Sequence, residues 1–277
     1  MGWEEALSAA VKNNATAEWI RVLSKELDTL TGTPKQALKH KAVQYIEAAL
    51  NFNSSALYRL SEELTGTGEA IAEELAVFLL SAHYSAAPEG ASKLLRKLAC
   101  SPFPDVREWT ASACGTVLCK QFESFYPTLA HWSKDANPMV RQAVAVALKF
   151  ASNAKNPAWG PLLLDLLEPL MRDKASMVKK EIGGRALGDA MLRNYIDDLE
   201  LRLKQWMISD QPLVRWHCAK LFTAPEAANR LDRLGWALQS LLRDESATVH
   251  KAAISALGQL GKRVQDPSLL LKLSAAV

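Results

Sequence analysis

The residues of this sequence best suited to chemistry are a recurring basic position, a set of tryptophans and a few carboxylates near them. Arg107, Arg141, Lys179, Arg215 and His250 each follow a valine: Val106, Val140, Val178, Val214 and Val249. Those valines step by 34, 38, 36 and 35 residues. Bases that recur at one position of a repeat line one side of the structure. Such a line can track phosphates, whose neutralisation releases counterions and makes binding salt dependent. Arg172, Lys180, Arg185, Arg193, Arg202 and Lys204 add charge around its middle. An aspartate stands four or five positions before four of the valines, at Asp135, Asp173, Asp210 and Asp244. An internal acid–base ladder therefore competes with phosphate contact for the repeated bases. Lys180 and Arg185, outside that ladder, are the better phosphate candidates.

Aromatic faces offer the second chemistry. Eight tryptophans are present. Trp3, Trp19 and Trp159 fall where helix faces would be buried, while Trp109, Trp132, Trp206, Trp216 and Trp236 stand among basic residues. Indole rings beside Lys and Arg suit nucleobases and sugars, although core packing is the commoner role of any single tryptophan. The five histidines are scattered, and neither His131 nor His217 has a second ligand type at helical spacing, so no metal site is expected. GxGxxG, phosphate-loop, GxSxG and HExxH patterns do not occur, so no cofactor is expected. The four cysteines form no CxxC pair, which fits a reducing, cytoplasmic setting. The longest apolar run, Pro161–Met171, is interrupted by Asp165 and Glu168, and no membrane partner is expected. The opening MGWEEALSAA carries acids where a secretion signal needs bases.

These groups must be positioned by helices. Good helix formers dominate, and thirteen Gly and twelve Pro are too few for a fold rich in tight turns. Helical periodicity predicts elements over 3–12, 16–30, 35–50, 53–64, 69–84, 88–99, 104–119, 123–134, 138–152, 158–172, 176–194, 196–208, 212–222, 226–243, 247–262 and 267–274. Breaks are expected at Thr31–Pro34, Thr65–Gly68, Ser101–Pro104 and Asp135–Pro138, where Gly, Pro and cap residues cluster. Each repeat is then an acid, a turn, a helix opening on Val and a base, and a second helix. A lone helix pair cannot bury its apolar face, so such units stack. The pattern resembles the HEAT repeat and implies an all-α, right-handed α-solenoid of two-helix repeats. One domain over 1–277 is expected, with 1–100 as diverged N-terminal units and 101–277 as clear repeats. Residues 1–100 carry ten Lys/Arg against twelve Asp/Glu, whereas 101–277 carry 23 against 18, so positive charge belongs to the later part. Gly183-Gly184 within an expected helix costs about 2 kcal/mol against alanine. It signals the close approach of either a ligand or a neighbouring helix.

Over about 100–225 the chain resembles the HEAT-like DNA alkylation-repair proteins, which include alkylpurine DNA glycosylases. The resemblance lies in VREWTASACG (Val106–Gly115), HWSKDANPMVRQAVAVAL (His131–Leu148) and VKKEIGGRALGDAM (Val178–Met191). It implies double-stranded DNA on a basic face, with tryptophans and a carboxylate at a cationic alkylated purine. Arg107, Arg141, Lys179, Lys180, Arg185 and Arg215 are the implied DNA-binding candidates, and Glu108, Trp109 and Asp189 the candidates for excision chemistry. The family's Trp-then-Asp pair reads Trp109 then Ala113, and its Ile-Gly-Trp reads Ile182-Gly183-Gly184. The resemblance thus implies DNA binding with base excision reduced or lost. A protein-interaction scaffold is the alternative.

Overall fold

The computed structural model describes residues 2–13, 16–26 and 35–264. The helix expected over 267–274, the last part of 16–30 and the break at Thr31–Pro34 lie outside them. Among the described residues there is no strand, and the fold is an all-α assembly of helical repeats.

Two compact units divide the chain, Met1–Thr128 and Leu129–Val277. The first contains α1 (Trp3–Lys12), α2 (Thr16–Leu23), α3 (Gln36–Ala49), α4 (Ser54–Gly66), α5 (Ala70–Ala82), α6 (Pro88–Leu98) and α7 (Pro104–Lys120). α8 (Phe122–Trp132) begins in it. Within this unit α3, α5 and α7 pack in succession, and α4 and α6 form a second layer behind them. The second unit contains α9 (Pro138–Ala151), α10 (Gly160–Leu167), α11 (Ser176–Glu181), a π-helix (Ile182–Met191), α12 (Leu192–Asn194), α13 (Ile196–Trp206), α14 (Pro212–Leu221), α15 (Leu231–Leu242) and α16 (Ala247–Leu260). Here α9, the α11–π segment, α14 and α16 pack in succession, backed by α10, α13 and α15.

The repeat has a physical explanation. Val106, Val140, Val178, Val214 and Val249 are all fully buried. Five positions before each stands a side chain that accepts a hydrogen bond from the backbone N–H two residues on. Ser101 Oγ accepts from Phe103 (3.2 Å), Asp135 Oδ1 from Asn137 (2.8 Å), Asp173 Oδ1 from Ala175 (2.9 Å), Ser209 Oγ from Gln211 (3.2 Å) and Asp244 Oδ1 from Ser246 (2.9 Å). This turn stops one helix and aims the next. Pro at the first turn then starts α7, α9 and α14 without wasting an N–H. Asp210, expected to be a ladder acid, is exposed. Ser209 takes its place because the turn requires the residue five before the valine.

Pro169 divides the stretch expected as one helix over 158–172. It separates α10 from a 3-10 turn at Leu170–Arg172, since proline supplies no N–H to continue the ladder. The helix expected over 226–243 likewise opens as a 3-10 segment, Pro225–Arg230, before α15. The glycine pair lies in the π-helix, and the close approach it signals is that of a neighbouring helix. An ideal Cβ on Gly183 would collide with the Lys220 Cβ, one on Gly184 would lie 2.7 Å from Thr223 Oγ1, and one on Gly188 would collide with Ala224. The missing side chains thus let the end of α14 lie against the π-helix.

Candidate nucleic-acid interface

The repeated bases divide into those consumed by the fold and those left over. Arg141 Nε donates to Asp173 Oδ2 (2.5 Å) and Nη2 to Oδ1 (3.1 Å), a bidentate fork onto the acid of the next repeat. Its Nη1 also closes its own turn through the Asp135 carbonyl (2.6 Å). Arg215 repeats the arrangement with Asp244 (2.6 and 3.0 Å) and the Ser209 carbonyl (2.5 Å). Its side chain is only 10% exposed. These hydrogen bonds to Asp173 and Asp244 push both guanidinium pKa values up. Arg107 donates to the Ser101 carbonyl at 2.7 Å, and His250 Nδ1 contacts the Leu242 carbonyl at 2.7 Å. The ladder therefore holds turns and joins repeats.

Lys179 is different. Its ammonium lies 5.2 Å from the centroid of the Trp216 ring, and the Lys220 ammonium lies 5.6 Å from the same ring. Trp216 and Lys220 stand one turn apart on α14, and Trp216 is half-buried. Beneath it, His217 is fully buried at a ring distance of 5.0 Å and an interplanar angle of 75°. Burial, assisted by the Lys179 charge, pushes the His217 pKa down to about 3, so the ring is neutral at physiological pH. Among the described residues, no carboxylate lies within ion-pair distance of Lys179 or Lys220.

Lys180 is exposed, 4.0 Å from Glu181. Arg185, expected to stand outside any ladder, instead donates from Nη1 to both Glu181 oxygens at 2.8 Å. Two cations thus share one acid, and Lys180, the more distant, is the less neutralised by it. Of the rest of the expected basic middle, Arg193 is exposed with no carboxylate within ion-pair distance among the described residues, and the other three are paired behind that layer. Arg172 meets Glu168 (2.8 Å), Arg202 meets Asp165 (2.6 Å) and Lys204 meets Glu200 (3.6 Å).

The excision candidates occupy separate units. Glu108 is exposed on α7, Trp109 is half-buried beside it, and Asp189 is half-buried in the π-helix of the second unit. Trp109 heads an aromatic row across three helices. Its ring centroid is 5.4 Å from Phe78, which is 4.8 Å from His40. The Lys39 ammonium lies 5.5 Å from the Trp109 ring and forms a 2.9 Å ion pair with Glu74, whose side chain is fully buried. Burial pushes the Glu74 pKa up. The Lys39 hydrogen bond pulls it back, and the Asp105 charge adds to the rise. Lys39, Phe78, Glu74 and Lys220 escaped sequence reasoning. Only Lys220 left a signal, four residues after a tryptophan on a helix of the repeat.

Other tryptophans serve packing. Trp19, Trp132 and Trp206 are buried, and Trp206 Nε1 donates to Glu168 at 2.6 Å. The four cysteines are thiols. Among the described residues, no helix is long and apolar enough to cross a membrane and no cluster of metal-type ligands occurs.

Among solved structures, the chain is similar to an engineered protein at 20% identity, covering 98% of this chain and 76% of that one with a TM-score of 0.37. A designed armadillo repeat protein in complex with the peptide (KR)4 is similar at 18% identity, covering 78% and 93% with a TM-score of 0.29. No curated protein matches the sequence. A family profile described as DNA alkylation repair enzyme matches residues 4–195.

Proposed function

Because the chain belongs to the DNA alkylation repair enzyme family, we propose that it binds double-stranded DNA through its second unit and that its base-excision activity is reduced or lost. The observation that carries the DNA-binding reading is the surplus of charge around Trp216. Lys179 and Lys220 flank a half-exposed indole without a carboxylate partner among the described residues, and Lys180 is exposed beside Lys179. A helical repeat satisfies most of its charges internally, as Arg141 and Arg215 do here. Charges left unpaired on one face favour a polyanion. Arg141 and Arg215 contribute by fixing the repeats that carry these lysines, while Arg107 holds its own turn in the first unit and Lys179, Lys180 and the partly compensated Arg185 meet phosphate.

Reduced excision is supported by the surroundings of Trp109. A cationic purine would need a carboxylate close to that ring. One turn on stands Ala113, and the place over the ring is taken by the Lys39 ammonium, whose charge Glu74 already neutralises. At the third motif the tryptophan position is Gly184, and Thr223 approaches the space of its missing side chain. Glu108 and Asp189 are the acids left to test.

Fluorescence anisotropy of a labelled duplex across a salt series tests the binding. Lys179→Gln/Lys180→Gln should weaken the complex and reduce the log–log salt slope by up to about 2, one for each phosphate no longer neutralised. Unchanged affinity and slope would refute the interface. Absence of binding at low salt would favour the protein-interaction scaffold. In parallel, release of methylated purines from alkylated duplex should be slow or at the background rate; rapid release abolished by Glu108→Gln or Asp189→Asn would refute the reduction or loss of excision.

A further inference from the structure

The Trp216 cluster has more than charge. It combines a flat indole face with two ammonium groups drawn from adjacent helices, and each part is held in place by the fold. Lys179 comes from α11, whereas Trp216 and Lys220 come from α14. The stem of Lys220 lies where a side chain on residue 183 would otherwise be, so the glycine of the π-helix sets its position. His217 is fully buried beside the indole. Being neutral, it adds no third charge.

Two ammonium groups near one ring repel each other. The negative face of the indole offsets part of that repulsion, and an anion close to both offsets the rest. The ligand that matches is a planar group linked to an anion. A fully paired duplex offers only the anion, because its bases are stacked on one another. A nucleotide outside the stack offers both.

We propose that Trp216, Lys179 and Lys220 form a seat for a single unstacked nucleotide, its base against the indole and its phosphate held by the two lysines. This deepens the DNA-binding reading and rests on it. The site selects DNA with an unpaired base, at a bulge, gap or single-stranded stretch, over intact duplex. Base stacking on an aromatic side chain is a sequence-tolerant interaction, because every base has a π-face. The seat therefore predicts preference for a structural state of DNA without preference for one base.

Three labelled probes at one salt concentration test it: a paired duplex, the same duplex with one unpaired adenine, and an oligo-dA single strand. The full chain should bind the bulged and single-stranded probes more tightly than the paired one. Trp216→Leu should remove that preference, weakening both by about ten- to a hundredfold while changing paired-duplex binding less than twofold. Trp216→Phe should retain most of the preference. Lys220→Gln, whose change lies at the end of a half-exposed side chain, should weaken the unpaired probes more than the duplex and is a second reading should Trp216→Leu disturb folding. Equal losses on all three probes, or no loss on any, would overturn the seat without refuting the duplex-binding reading. Failure of the wild-type chain to bind any probe would overturn both.

Discussion

Trp109 in the first unit and Trp216 in the second share the same parts, an indole and a lysine reaching it from another helix of the same layer. They differ in where the charge goes. Over Trp109, Lys39 is buried and its charge is taken up by Glu74 at 2.9 Å. Around Trp216, two lysines reach the ring and neither meets a carboxylate among the described residues. The first cluster is closed within the protein and contributes to holding α3, α5 and α7 together. The second is open to a partner. A cation beside an aromatic ring is thus no indication of function until its counter-charge has been found.

The largest effect that would break this comparison is on stability. Lys39→Met leaves Glu74 buried without its counter-charge and should cost about 3–5 kcal/mol in urea denaturation. Burial already raises the Glu74 pKa above its ordinary value of 4.5. A raised carboxylate contributes stability below the unfolded-state value and loses it as pH rises through the folded-state value. The deficit of the variant should accordingly be smaller near pH 4.5 than at pH 7. Lys179→Met, by contrast, should change stability by less than about 0.5 kcal/mol. Equal losses from the two lysines would erase the distinction drawn between the clusters.

A smaller effect sharpens the view that packing positions the open cluster. Gly183→Ala gains about 1 kcal/mol in helix propensity, but its Cβ collides with the stem of Lys220. Overpacking of this kind costs about 1–3 kcal/mol, so the variant should melt lower than wild type. It should also bind duplex less tightly because Lys220 is displaced. A rise in melting temperature would show that the space is not needed.

The last effect is absent at neutral pH and appears only as a pH slope. The folded-state pKa of His217 falls to about 3 from an ordinary value of 6.5. A depressed histidine contributes stability above pH 6.5 that is lost progressively as pH falls toward 3. This single group should remove about 1.4 kcal/mol for each pH unit below the unfolded value. His217→Leu should remove that component, so the difference between wild type and variant should change as pH falls below 6.5. A constant difference would mean that His217 takes up its proton in the folded chain.

The repeat is legible in the sequence because it is a local signal. The buried valine, the following base and the proline-led turn fall within one short segment, and each is set by its position in a helix. Even there, spacing points to Asp210 as the acid, whereas the turn takes its acceptor five residues before the valine, at Ser209. The fate of individual charges is not legible. Arg185 and Lys180 differ little in sequence, yet Arg185 donates to both oxygens of Glu181 while Lys180 stands 4.0 Å away. The row of His40, Phe78 and Trp109 unites residues on three helices, with no periodicity to announce it.

The sequence by itself determined the all-α class, the helical repeat and the basic bias of the later residues, all properties of composition and short-range order. Tertiary structure decided which bases are spent on Asp173 and Asp244, which helix fills the space beside Gly183 and Gly184, and which lysines gather around Trp216. The physical reason is the range of the forces concerned. Helix formation and turns depend on neighbours a few residues apart, whereas a charge is neutralised by whatever carboxylate the packing brings within about 4 Å.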